Sequence, residues 1–368
     1  MTSELTNASV LAELLASSLG APAMGAAAAV GKDKYKQLQA FQNVTSYSMQ
    51  QTLHECPRKF QLSKLQADLD VDREVERESN VDFAFGHAVG AGVAIYDQTK
   101  DIKQAIFAAF LSWNIDLFAD SLDSGRKDKK KNFSYAVWAL YVYAEFLENG
   151  DGVELDEYEV VKLEANIGID FENGQFYVGH VDELLKSKLT GRYKVKENKT
   201  TGYSSVDPAL YENSDQALSY ALVIDAVGAA EYDVVYTIYS CPEQQWLLYQ
   251  FTKGPLSKAE WLQSQLFTSS EIAAYTEHNF FPTRGENCIT YNRRCNHFGE
   301  CGWNPIQVYG KNFSGLRLCK SLDDLDEIET LDYRFKYSEI VARQKDMLQL
   351  GGGRGQETVE RLGQISEM

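Results

Sequence analysis

Asp182, Glu197 and Lys199 are the residues whose types and spacing could do chemistry. Asp182 closes the run Gly179-His180-Val181-Asp182, and the other two lie in Lys196-Glu197-Asn198-Lys199-Thr200. Glu197 and Lys199 are two apart, so an extended chain points both to one face. Two carboxylates and a lysine converging on one sheet face are costly to bury. The arrangement makes sense when a hard cation sits between the carboxylates and the lysine faces a water or a phosphate. The bland alternative is three ordinary charges on a solvated hairpin face.

The elements that must position these residues follow from local pattern. Gln175 to Leu185 and Arg192 to Lys199 alternate and are rich in aromatic and β-branched residues, which predicts two strands joined through a Thr190-Gly191 turn. Tyr158 to Phe171 reads as the first core strand, and Asn173-Gly174 is a hairpin turn signal into the Asp182 strand. Glu164, on that first strand, is a further candidate carboxylate whose direction the pattern does not set. Upstream, helices are predicted over Met49 to Leu65 after a Thr45-Ser46-Tyr47-Ser48 cap cluster, from Phe83 through the small-residue stretch to Ala94, over Asp101 to Leu117, and over Phe133 to Leu147. Downstream the predicted order is a helix over Asn213 to Val227, strands over Tyr232 to Ser240 and Trp246 to Lys253, and a helix over Leu256 to His278. Gln216 and Tyr220 are four apart and share a helix face.

Composition bounds the class. A chain of 368 residues with 44% hydrophobic content can bury a substantial core. No apolar run is long enough to span a bilayer. Glu4 and Glu13 and the lack of a basic start argue against a secretory signal, so the expected location is cytoplasmic. A net charge of -17 argues against broad non-specific nucleic-acid binding. Binding of nucleic acid therefore needs a local basic groove, and Arg126-Lys127-Asp128-Lys129-Lys130-Lys131 is the one dense basic run; it reads equally as a solvated loop. Six cysteines in such a chain read as thiols or metal ligands rather than disulfides.

The ordered set Cys56-Pro57-Arg58-Lys59-Phe60, Gly179-His180-Val181-Asp182, Glu197-Asn198-Lys199, Gln216-x3-Tyr220 and three late cysteines resembles the PD-(D/E)XK nucleases, in their RecB-like branch. That branch includes AddB-type, CRISPR-adaptation and phage exonucleases. The resemblance spans Ser46 to about Trp303. It implies an α/β fold, a mixed sheet core flanked by helices, with N- and C-terminal segments joined by a Cys-ligated cluster. The expected organisation is a flexible tail or short helix over 1–42, a nuclease domain over 43–305, and an acidic helical tail over 306–368 that reads as a mobile appendage or a partner-binding segment.

The resemblance also implies roles. Asp182, Glu197 and the Asn198 carbonyl would hold Mg²⁺ or Mn²⁺, Lys199 would orient or help deprotonate the attacking water, and Gln216 and Tyr220 would position the lysine or the DNA backbone. The family has a metal-binding His four residues after a Gly; here that position is Gly90, and His87 is the nearest candidate, in a shifted register, with a structural His as the alternative. Cys288-x6-Cys295-x5-Cys301 supplies three soft ligands. Cys56 would complete a [4Fe-4S] cluster, as in the iron–sulfur members; zinc, with His297 or Cys56 as fourth ligand, is the alternative. Cys241 and Cys319 are expected to be unliganded. The implied activity is a metal-dependent DNA exonuclease acting on DNA ends. Two alternatives stand beside it: a catalytically weak DNA-binding or assembly subunit, and a zinc-stabilised interaction protein.

Overall fold

The computed structural model describes residues 41–69, 81–113, 130–212, 214–227, 230–290, 293–303, 313 and 316–350. Residues 1–40 of the tail predicted over 1–42, Arg126 to Lys129 of the basic run, and the Gly351-Gly352-Gly353 break lie outside the described residues.

The core is a seven-stranded mixed sheet in the order β6-β5-β4-β3-β2-β9, with β1 added beside β3. Its strands are β1 (Val44–Thr45), β2 (Tyr158–Asp170), β3 (Phe176–Ser187), β4 (Tyr193–Thr201), β5 (Ala230–Ser240), β6 (Gln245–Thr252) and β9 (Tyr333–Lys336). The strands β7 (Ile289–Thr290) and β8 (Arg293–Arg294) form a separate small hairpin. Aromatic and β-branched alternation drives β2 to β4, as predicted, and the turns fall where glycine allows them. Gly174 has φ +82 and Gly191 has φ +71, values a side chain adopts only with strain. Gly179 has another reason: a Cβ there would stand 2.8 Å from the Ile167 side chain on β2.

Helices cover both faces. On one side lie α3 (Val81–Thr99), α4 (Ile102–Ser112) and α5 (Phe133–Asn149); on the other lie α6 (Asp215–Val227) and α7 (Pro255–Glu277). Val235 and Tyr239 of β5 pack with Phe85, Leu140 and Tyr143, while Tyr236 and Ile238 pack with Tyr220, Val223 and Leu262. That alternation is what a strand buried on both faces requires.

The predicted Met49 to Leu65 helix is two helices, α1 (Tyr47–Glu55) and α2 (Pro57–Leu69). Cys56 between them is extended, at φ -163 and ψ 112. The pyrrolidine ring of Pro57 disfavours helical geometry at the residue before it, and Pro57 itself opens α2 where its missing N–H costs nothing. The helix predicted over Asp101 to Leu117 is capped by Asp101, which accepts from the Lys103 N–H at 2.8 Å, and ends at Ser112; its last predicted turn falls outside the described residues.

The mixed sheet flanked by helices agrees with expectation; the Cys-ligated cluster joining the two ends does not. Packing and backbone pairing join them instead. Asn43 donates to the Cys319 carbonyl at 2.7 Å and accepts from the Cys319 N–H at 2.9 Å. The Arg58 N–H donates to the Pro282 carbonyl at 3.1 Å, and Phe60, Phe281 and Phe313 form one ring cluster. C-terminal residues complete the core. The strand β9 pairs parallel with β2, after α9 (Leu322–Asp326), and α10 (Tyr337–Leu350) packs on α7. The short α8 (Phe298–Trp303) precedes them.

Candidate functional site

Antiparallel pairing of β3 with β4 and parallel pairing of β4 with β5 bring the predicted residues together. The Asn198 main-chain N–H donates to Asp182 Oδ2 at 2.9 Å. Lys199 Nζ donates to Glu197 Oε1 at 2.6 Å and to Gln216 Oε1 at 3.1 Å. Gln216 Nε2 in turn donates to the Tyr220 hydroxyl at 2.6 Å. The i, i+4 spacing on α6 sets Gln216 over the lysine and leaves Tyr220 buried behind it.

Burial governs the electrostatics. Desolvation raises Glu197 to about 8, and the neighbouring Asp182 charge adds to it; Lys199 works against both. Asp182 is also raised by desolvation, with Lys199, the Asn198 N–H, Lys196 and His87 opposing. For Lys199 burial favours the neutral amine, but Glu197 and Asp182 win and hold its pKa above the usual lysine value. His87 on α3 therefore faces Asp182 closely enough to act on its charge.

Glu164 joins the site. The register sets it opposite Asp182, between the pairs Leu163–Glu183 and Ala165–Val181. Desolvation, then Asp182 and Glu197, raises its pKa, although the side chain keeps contact with solvent, which screens the shift. It also sits at φ +48, a left-handed conformation rare for a side chain with a Cβ. Two carboxylates placed directly opposite across an antiparallel pair repel.

Sequence reasoning missed a set of charges behind the site. Lys196 Nζ contacts Asp97 of α3 and donates to Glu183 Oε1 at 2.6 Å, and the Tyr143 hydroxyl donates to Asp97 at 2.9 Å. The readable signal is that Lys196 and Asn198 alternate with Glu197 and Lys199, so they had to face the opposite helix layer. Beside Asp182 on β3, His180 Nδ1 lies 2.8 Å from Asn166 Oδ1 and 3.4 Å from Glu329, a residue supplied by the C-terminal segment.

The structure corrects the expected cofactors. Cys56, Cys288, Cys295 and Cys301 share a neighbourhood: desolvation and then the Cys56 charge push Cys288 and Cys301 up. Among the described residues no group of three or more His, Cys, Asp or Glu side chains is placed to hold a metal ion. That overturns the [4Fe-4S] cluster and its zinc alternative. It also overturns the preformed Mg²⁺ or Mn²⁺ centre of Asp182, Glu197, the Asn198 carbonyl and His87. At the carboxylates the physical reason is that Asp182 Oδ2 and Glu197 Oε1 are already engaged by protein donors. Glu197 Oε2 is buried without a hydrogen-bond partner among the described residues.

Of the basic run, Lys130 and Lys131 are described. Lys130 Nζ donates to the Pro242 carbonyl at 2.6 Å and Lys131 pairs with Asp82 at 3.0 Å, so both hold the chain together. No helix among the described residues is long and apolar enough to cross a membrane.

Residues 44–302 match the family model described as the PD-(D/E)XK nuclease superfamily. No curated protein matches the chain.

Proposed function

The chain belongs to the PD-(D/E)XK nuclease superfamily, and from that premise we propose that it hydrolyses phosphodiester bonds in DNA, as an exonuclease of the RecB-like type working at DNA ends in recombination, repair or phage DNA processing. The observation that carries this reading is Lys199, held charged between Glu197 and Gln216 beside Asp182.

Hydrolysis needs a water to attack phosphorus, a group to take its proton, and positive charge where the phosphoryl oxygens gain negative charge. Glu197 suits the proton acceptor: one oxygen is tied to Lys199, the other has no hydrogen-bond partner among the described residues, and its pKa of about 8 lies near neutrality. Lys199 supplies the positive charge and is kept in place by Gln216, itself anchored by Tyr220. Asp182, held by the Asn198 N–H, gives the attacking water a second acceptor and so an orientation. The water oxygen bonds to phosphorus as its proton passes to Glu197, the bond from phosphorus to the leaving sugar oxygen breaks, and that oxygen takes a proton from solvent water.

A second reading, a DNA-binding or assembly subunit with little activity, is favoured by the first motif, where Gly90 stands in the place of the family's metal-binding His. One assay separates the two. End-labelled single- and double-stranded DNA is incubated with wild type, Lys199→Ala and Asp182→Ala, with added divalent cation and with chelator. Wild type is expected to shorten the labelled strand, and both variants to lose about a hundredfold or more in rate while staying folded. A wild type that binds DNA but leaves it intact under every condition transfers the conclusion to the binding subunit.

A further inference from the structure

Behind the site, the charged network on the other side of β4 is buried at a cost. Glu183 is 0% exposed, Lys196 1% and Thr237 0%. Apolar residues of similar volume would fill the space between β4 and α3 more cheaply, because desolvating two ions commonly outweighs their attraction. Its position suggests what apolar residues could not supply. The β3–β4 ladder ends at the pair Glu183–Lys196, one residue after Asp182 on β3 and two before Asn198 on β4. Past that pair the two strands no longer fix each other, yet the next link between them is the one that holds Asp182.

That link is braced from behind. Asn198 Nδ2 donates to Glu183 Oε1 at 2.8 Å, and the same oxygen accepts from Lys196 at 2.6 Å. Asn198 Oδ1 accepts from Thr237 Oγ1 at 2.5 Å, and Thr237 is the register partner of Asn198 on β5. Lys196 is anchored to Asp97 and lies 5.3 Å from the centre of the Tyr143 ring. Both ends of the Asn198 amide are therefore gripped, and its main-chain N–H points the other way, to Asp182.

We propose that Glu183 and Thr237 are positioning residues of the site: they clamp the Asn198 side chain so that its main-chain N–H fixes Asp182 for reaction. The kinetic arm of this inference rests on the proposed hydrolysis; the structural arm does not. The clamp makes β4 a lever with chemistry on one side and its brace on the other. It also explains a buried ion pair at the last rung of a ladder, where fraying would otherwise begin.

Thr237→Val removes the hydroxyl at nearly constant volume, and Thr237→Ser keeps it. Three quantities are read on each: the melting temperature, kcat and KM on labelled DNA, and amide hydrogen exchange over residues 196–200. Thr237→Val is expected to stay folded, to lose about tenfold or more in kcat with KM within about twofold, and to exchange the Asn198 amide faster. Thr237→Ser is expected to behave as wild type in all three. A folded Thr237→Val whose kcat is unchanged overturns the inference, as does one whose Asn198 amide exchanges at the wild-type rate. If wild type does not hydrolyse DNA but the exchange at Asn198 still accelerates in Thr237→Val, hydrolysis falls and the clamp on Asp182 stands.

Discussion

Raised carboxylate pKa values lie on both sides of the sheet, Glu164 and Glu197 at the site and Glu183 in the network behind it, and they have a sign. Glu164, Glu183 and Glu197 are each lifted from 4.5 to about 8. A carboxyl group that binds its proton more tightly folded than unfolded contributes stability below its unfolded pKa. That contribution is lost as pH rises through the folded value. The protein is therefore expected to melt at a lower temperature at pH 8.5 than at pH 5.5, all else equal, in a buffer of fixed ionic strength. Glu164→Gln cannot ionise, so it is expected to shrink that difference slightly, because the Glu164 side chain is exposed and water screens the shift. A melting temperature that rises across the same range would contradict the assignment. Glu164 lies opposite Asp182 in a left-handed conformation, so strain and repulsion converge on the strand pair that carries the chemistry. That Glu197 and Lys199 share a strand face, and Gln216 and Tyr220 a helix face, was readable because those spacings match strand and helix periods; Asp182 was placed near them only through the predicted hairpin. Glu164 was readable only as a type, since nothing local says which way a bulged strand turns its side chain.

At the scale of elements, the turn at Gly174 and the close approach at Gly179 are two different demands on glycine. Gly174 has open space around its Cβ position but φ +82, so Gly174→Ala is expected to cost about 1 kcal/mol, measured by urea unfolding. Gly179 meets the Ile167 side chain at 2.8 Å, so Gly179→Val is expected to cost more, roughly 1–3 kcal/mol, by forcing β2 and β3 to adjust beside Asp182. A Gly179→Val protein as stable as wild type would show that the contact is soft. The break at Cys56 belongs to this scale too. The cap cluster at Thr45 to Ser48 suggested one helix over Met49 to Leu65, but Pro57 decides the backbone of the residue before it, and the helix breaks there.

For the whole molecule, the C-terminal elements are part of the body. A buried pair of Lys258 on α7 with Asp225 on α6, at 2.8 and 2.9 Å, takes a third partner in Gln344 on α10, at 2.7 Å from Asp225. Lys258→Met is expected to destabilise by roughly 3–5 kcal/mol because it strands the Asp225 carboxylate in the core. The double variant Lys258→Met, Asp225→Leu is expected to recover most of that loss, and urea unfolding of the set measures it. Removing the chain from Leu331 onward would expose the β2 edge that β9 covers, and the shortened protein is expected to aggregate in light scattering.

The sequence by itself determined the period of each main strand and helix, the turns at Asn173-Gly174 and Thr190-Gly191, and the order of the motifs that place the chain in its family. These are local properties, written in alternation, in i, i+4 spacing and in the conformational freedom of glycine. Only the tertiary structure decided which charges meet. The pairing of Lys196 with Asp97, of Glu329 with His180, and of Asn43 with Cys319 joins residues separated by long stretches of chain, and no periodicity encodes a partner at such a distance. The expected metal centres failed for the same reason. A ligand set is a statement about relative positions in space, and spacing along the chain constrains it only within one element.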